Sequence, residues 1–421
     1  MKSKKITFFV LLSVLFLSCS QYKIVELPLT PQKGYGPFCS VLMTLPPYWG
    51  NEISHFPEGL TDMKHGDIDA NSCQTIYQNY LLGTITKEDL QAHLTFDTLN
   101  LSKTPIKTKI AFAYGKDSDG VLKIAVDANN NLDLSDDELF IPIEMNSYDE
   151  LKKDSIAQVH AVNVSLETFV HDKIVPVTVP LLIEYYSPLN LFASSFSQYM
   201  TTQYKGKKIA VSSFTCLSYN DIELAFMPKD WRNREKLEKK DIYRKNEYIE
   251  IKEKKYKVLG VNTNKNTLVL EKINLPKTQL FSTQIGYRAY PFEGEDLTTN
   301  SNISLENFKG KFVLLDFWAE WCGPCIKEFP HLKELYAKTD RAKFEIIGIA
   351  GSSSSDGIKK LIDKHELPWI QILSDDTNKI VETYGVMSFP TTILIDTEGV
   401  IIAKNLRGDE LVEQVLSLIE E

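Results

Sequence analysis

Positive charge and cysteine are both scarce in this chain of 421 residues, and each shortage excludes something. Lys and Arg number 47 against 56 Asp and Glu, a net charge of -9 with a sequence pI near 5.5. A nucleic acid needs a basic face, so no nucleic-acid partner is expected. The mixed-sign stretch from Lys229 to Lys257 reads as solvated surface. Only one Cys-X-X-Cys pair occurs among the 6 cysteines. A zinc site built on it would need a second ligand pair, and the nearby His331 and His365 read as structural. No internal repeat or low-complexity tract stands out. The length exceeds what one hydrophobic core supports, so at least two domains are expected.

The chain opens with Lys2, Lys4 and Lys5, continues as an apolar run from Ile6 to Leu17, and closes on Ser18-Cys19. This is the pattern of a secretory signal, and the run is too short to span a bilayer. Phe16-Leu17-Ser18-Cys19 resembles a bacterial lipobox, with Phe16 where Leu is usual. That resemblance implies a signal peptide over 1–19 and lipidation of Cys19, whose acyl chains would form a durable anchor. A soluble secreted protein cut at a nearby small residue is the other reading. Export places the thiols in an oxidising compartment, where a dithiol would need an electron donor from outside this chain, here expected in the membrane. Cys39, Cys73 and Cys216 are left over. A Cys39–Cys73 bridge with Cys216 as a small buried residue is one assignment among several.

Trp321-Cys322-Gly323-Pro324-Cys325 directly follows the apolar run from Lys311 to Trp318. Two thiols stand one helical turn apart at the end of a buried strand. A cysteine in the first turn of a helix feels unpaired N–H groups and the positive end of the macrodipole, which favours the thiolate. Cys322 is that residue. Cys325 lies on the same helix face, able to resolve a mixed disulfide formed at Cys322. Strand alternation puts Leu314, Asp316 and Trp318 on one side and Val313, Leu315 and Phe317 on the other. A carboxylate in such surroundings is expected to be buried, with its pKa raised, and able to exchange a proton with Cys325. Pro324 restrains the first helical turn, and Trp321 shields one side of the sulfurs.

The decapeptide Asp316 to Cys325, Asp-Phe-Trp-Ala-Glu-Trp-Cys-Gly-Pro-Cys, resembles the active-site segment of thioredoxins. Gly310-Lys311 before the strand, Glu328-Phe329-Pro330 after the cysteines, and an insertion from about Gly351 to Trp369 resemble the TlpA/ResA-like members of the bacterial envelope. The resemblance covers roughly the last third of the chain. It implies a cis peptide at Pro390, in Gly385-Val-Met-Ser-Phe-Pro-Thr-Thr, facing the disulfide. It further implies that Phe389 offers its backbone to an extended substrate and that Glu328 tunes the thiols. Catalytic Cys322, Cys325, Asp316 and Glu328, and substrate-binding Trp321, Gly323, Pro324, Phe389 and Pro390, are the resulting candidates. No cofactor beyond the Cys322–Cys325 disulfide is required.

Upstream, period-2 alternation with turn signals reads as mostly β, as at Ile106, Thr108, Ile110, Phe112 and Tyr114. A meander is expected over Tyr248–Ile251, Tyr256–Val261 and Thr267–Ile273. Asp127 to Glu138 carries oxygens where a calcium loop has them, at Asp127, Asn129, Asn131, Ser135 and Glu138, with Leu134 inward. Leu132 stands where such a loop needs Gly, and the flanks Val121–Val126 and Leu139–Ile143 look like strands. An Asx-rich hairpin loop without metal is the competing reading. Asp117-Ser-Asp-Gly120 reads as a hairpin turn.

The expected architecture is therefore α+β multidomain: a signal peptide over 1–19, a mostly-β region of unknown function over 20–283, and a thioredoxin-like α/β domain over 284–421. The latter would open with an entry strand at Ile285–Phe292, followed by alternating strands and helices. The expected activity is thiol-disulfide exchange with protein disulfide or dithiol substrates by a lipid-anchored protein facing the periplasm or cell surface. Two rivals stand beside it. One is a thiol peroxidase, and the other a binding lipoprotein whose thioredoxin-like part is structural.

Overall fold

A computed structural model describes residues 23–38, 42–45, 53–93, 98–145, 152–215, 217–227 and 241–420. The signal peptide with Cys19, and Cys39 and Cys216, lie outside them. Cys73 is buried with its Sγ 2.9 Å from Ser218 Oγ.

The upstream part is two sheet pairs. In the first, the four-stranded sheet Lys23–Pro28, Thr267–Ile273, Lys254–Asn262, Tyr248–Ile251 shares a core with a five-stranded sheet centred on Lys207–Thr215. The expected meander is there, with its middle strand running from Lys254 to Asn262. In the second, the strands Thr61–Asp69, Lys109–Lys116 and Leu122–Val126 pack on a sheet containing Val162–Val170, Lys173–Tyr186 and Leu191–Phe196. Ile110, Phe112 and Tyr114 face that core, as their spacing requires. The sequence pattern did not reveal the helix Ser72–Leu81, which is capped by the Asn71 side chain on Gln74 N–H.

The Asp127–Glu138 segment is held by its own hydrogen bonds. Asp127 accepts from the N–H groups of Asn131 and Leu132, Asp137 from Ala128, and Asp136 from the side-chain amides of Asn129 and Asn131. Ser135 donates from both its N–H and its hydroxyl to Asp133, and Glu138 is exposed. Leu134 is buried and Leu132 takes the left-handed backbone expected of a glycine there, φ 64°. Asp127, Asp136 and one oxygen of Asp137 are thus turned to backbone and amide donors, while Asp137 Oδ2 is buried without a hydrogen-bond partner. Among the described residues no group of three or more His, Cys, Asp or Glu is arranged to hold a metal. These hydrogen bonds are those of an Asx-rich loop. On its far side the expected strand shrinks to a single bridge, Phe140 to Ile124, and a short Ile143–Glu144 pairing.

The last third is a five-stranded sheet in the order Ile370–Leu373, Phe344–Ala350, Phe312–Trp318, Thr391–Ile395, Ile401–Lys404. The first three strands are parallel, and the last two run antiparallel to their neighbours. Helices Gly323–Lys338, Ser355–His365 and Gly408–Glu420 accompany it. Two strands were not anticipated, Ile370–Leu373 and Ile401–Lys404, each only four residues long. The entry strand at Ile285–Phe292 is a correction: only isolated bridges at Arg288, to Phe281 and Val400, stand there. Pro291 has no N–H to extend such a ladder. The central strand separates two cores. Leu314 and Trp318 pack with Cys322, Cys325 and Phe329 on one side, while Val313, Leu315 and Phe317 pack with Ile347, Ile349 and Tyr384 on the other. Each such fully buried apolar side chain contributes about 1.5–3 kcal/mol.

Candidate active site

Where the central strand ends, the chain turns through Ala319-Glu320-Trp321 and enters the helix Gly323–Lys338. Cys322 is the N-cap, its Sγ accepting the Cys325 N–H at 3.2 Å. The Cys322 carbonyl accepts the N–H groups of Cys325 and Ile326. The two cysteines form a disulfide with Cα atoms 5.3 Å apart. Pro324 occupies the first turn, where its missing N–H costs nothing. Both cysteines are buried, Gly323 and Pro324 are exposed. Trp321 is 65% exposed.

Trp321 donates from its indole to the Ser352 carbonyl at 3.0 Å and meets the Phe389 ring edge-on at 6.0 Å. Phe389–Pro390 is a cis peptide. Gly351 lets the Phe389 ring sit where it does, since a Cβ there would lie 2.8 Å from it. Met387, 86% exposed, extends the apolar rim along the same loop. Ser354 caps the helix of the insertion and is itself tied to Glu320 beside the motif, so the Ser-rich loop is fixed to the site by capping.

Asp316 is 3% exposed and lies on the strand face that carries the cysteine core. Desolvation pushes its pKa up to about 7, opposed by the positive charge of Arg407 and reinforced by the negative charge of Glu328. Glu328 Oε2 accepts the Gly408 N–H at 2.8 Å, binding the active-site helix to the start of the C-terminal helix. His331 lies between Glu328 and Asp409 at 4.0 and 3.6 Å, and His365 packs edge-on against Phe329. Strand, helix and cis-proline loop thus bring together Cys322, Cys325, Trp321, Phe389 and Pro390, with Asp316 and Glu328 beneath.

Sequence reasoning missed three residues. Arg407 donates to the Pro390 carbonyl, to the Leu406 carbonyl at 2.9 Å and to Thr392 Oγ1 at 3.2 Å. Thr392 is the cross-strand partner of Asp316. Gln371, fully buried, takes the Trp318 indole N–H on its Oε1 at 3.0 Å. Its amide occupies the space over Gly348, the other strand partner of Asp316. Nothing in a linear motif points to these side chains.

A redox disulfide at a helix N-terminus, at the end of the central strand of such a sheet, defines a thioredoxin-like oxidoreductase. The family model described as AhpC/TSA matches residues 285–404. Thiol-disulfide oxidoreductase ResA of Bacillus thuringiensis is 36% identical over 132 residues, covering 31% of this chain and 75% of that protein. ResA of Bacillus subtilis is 31% identical over 105 residues, covering 25% and 58%. The solved thioredoxin domain of a Bacteroides vulgatus thiol-disulfide oxidoreductase is 37% identical, covers 32% of this chain and 98% of that one, and superposes with a TM-score of 0.31. Through its C-terminal third the chain belongs to the ResA-like thiol-disulfide oxidoreductases. It is an enzyme of that class.

Proposed function

We propose that this protein exchanges disulfides with polypeptide substrates in the bacterial cell envelope, through the Trp-Cys-Gly-Pro-Cys motif. The observation that carries the reading is the Cys322–Cys325 disulfide at the helix N-terminus, rimmed by Trp321, Phe389 and cis Pro390. In the reducing direction the Cys322 thiolate attacks one sulfur of a substrate disulfide. A mixed disulfide forms, and the other substrate sulfur leaves as a thiolate and takes up a proton. Cys325 then loses its proton to Asp316 and attacks Cys322 Sγ. The second substrate thiolate leaves, and two electrons have passed from the dithiol to the substrate. A substrate strand would lie along Phe389, its apolar side chains against Trp321 and Met387. Glu328 acts by its charge near Asp316.

The disposition we favour is a lipid anchor at Cys19, a β-rich portion over 20–283 that positions the enzyme or recruits a partner, and the catalytic domain over 284–421. An electron-transfer partner in the membrane would return the pair to its working state. Among the described residues no helix is long and apolar enough to cross a membrane. The test is Cys325→Ser in the full chain, expressed in an envelope-competent host. A substrate covalently trapped through Cys322 and released by dithiothreitol is expected. A folded, exported Cys325→Ser protein that traps nothing, with wild type unable to reduce insulin, refutes the proposal.

A further inference from the structure

The guanidinium of Arg407 is half-buried and makes three hydrogen bonds: two to the cis-proline side of the site, at the Pro390 carbonyl and Thr392 Oγ1, and one to the Leu406 carbonyl of its own turn. Thr392 in turn donates to the Leu406 carbonyl at 3.0 Å, so the fork is held at two points before it reaches Pro390. The residue next to it, Gly408, gives its N–H to Glu328 on the active-site helix. The turn Leu406-Arg407-Gly408 therefore touches both walls, the cis-proline loop through a side chain and the active-site helix through a backbone amide. Thr392 faces Asp316 across the ladder, which puts the cation beside the buried carboxylate. We infer that Arg407 is a positioning residue of the oxidoreductase. It fixes the Pro390 carbonyl for substrate and holds a positive charge beside Asp316, so that the carboxylate is ionised when Cys325 must lose its proton.

This deepens the proposed function and rests on it. The charged and ionisable groups facing Asp316 are few. The active-site helix supplies Glu328 and, once reduced, the two thiols, with His331 next to Glu328. The C-terminal turn supplies Arg407, with Asp409 beyond it. The flanking strands contribute only Gly348 and Thr392 opposite Asp316. Among the described residues, Arg407 is thus the cation acting on Asp316, against the anion Glu328. The opposing influences agree with its placement: Arg407 draws the carboxyl down and Glu328 pushes it up, while burial lowers the guanidinium's pKa and the charges of Asp316 and Glu328 oppose that lowering. An opposite charge at close range lowers a carboxyl pKa by about 1–3 units. Lys would keep the charge but lose the planar fork that serves three acceptors at once.

The experiment uses the full chain as wild type, Arg407→Gln and Arg407→Lys, each reduced with dithiothreitol. Oxidation by a peptide disulfide is followed in a single turnover across pH, and KM for insulin is measured separately. Arg407→Gln should move the alkaline-rising midpoint of the resolution step up by about one pH unit, a tenfold loss of rate below it, and raise KM several-fold. Arg407→Lys should restore the midpoint and leave KM raised. If Arg407→Gln matches wild type in both quantities, or if both variants move the midpoint equally, the inference falls while an active wild type leaves the proposed function standing. If wild type itself reduces nothing, the proposed function fails first. Should Arg407→Gln not fold by circular dichroism, Arg407→Lys decides: a raised KM at an unchanged midpoint supports the role, and an unchanged KM overturns it.

Discussion

Replacing Asp316 by Asn gives two effects of opposite sign from one buried carboxyl. In the folded state its pKa is about 7, against 3.8 for the same group in the open. Between those values the native protein binds a proton that the unfolded chain has released, so stability falls as pH rises from about 4 to about 7 and is flat above. Three pH units at about 1.36 kcal/mol each give about 4 kcal/mol as the cost of the ionised carboxylate at pH 8. Arg407 would lose its counter-charge in the variant, which returns part of that gain. Asp316→Asn is therefore expected to be about 2–4 kcal/mol more stable than wild type at pH 8 and near equal to it at pH 4. Trp318, Trp321 and Trp369 report on this sheet, so denaturant unfolding followed by tryptophan fluorescence at several pH values reads the difference. Under the proposed mechanism the same variant should resolve mixed disulfides more slowly, because it lacks the carboxyl that takes the Cys325 proton. Parallel stability profiles for the two proteins from pH 4 to 8 would refute the burial argument, whatever the activity.

Gly351→Ala would put a methyl group 2.8 Å from the Phe389 ring. Displacing that ring should raise KM for insulin several-fold while reduction by dithiothreitol, which needs no peptide groove, stays unchanged. Phe329→Ala empties a fully buried site between Trp318 and His365 and should cost about 3–5 kcal/mol in the same fluorescence unfolding assay. With the Asp127–Glu138 loop closed by its own hydrogen bonds, removing calcium with a chelator should not shift the thermal transition of the upstream sheets. A drop of several degrees on chelation would establish the metal reading instead.

Much of the catalytic third was legible because its physics is local. An apolar strand followed by a cysteine at a helix start, with a second cysteine one turn on, specifies the sulfur pair without reference to the rest of the chain. Strand alternation likewise put Asp316 on one face with Leu314 and Trp318, and the structure has those two in the core that holds the cysteines. The upstream meander and the hairpin at Asp117–Gly120 follow equally from period and turn chemistry.

Other features depend on atoms distant in sequence. The oxygens of Asp127–Glu138 fit a metal loop in spacing, and only their directions in space turn them to backbone donors. Four-residue strands such as Ile401–Lys404 carry too little pattern to stand out, and exist because a neighbouring strand supplies their hydrogen bonds. The sequence by itself determined that two thiols share a helix turn and that a carboxyl stands among apolar neighbours on the strand leading to them. Only the tertiary structure decided which cation faces that carboxyl. Arg407 reaches it through strand pairing and a turn between two elements, and a charge acts through distance in space, which spacing along the chain does not record.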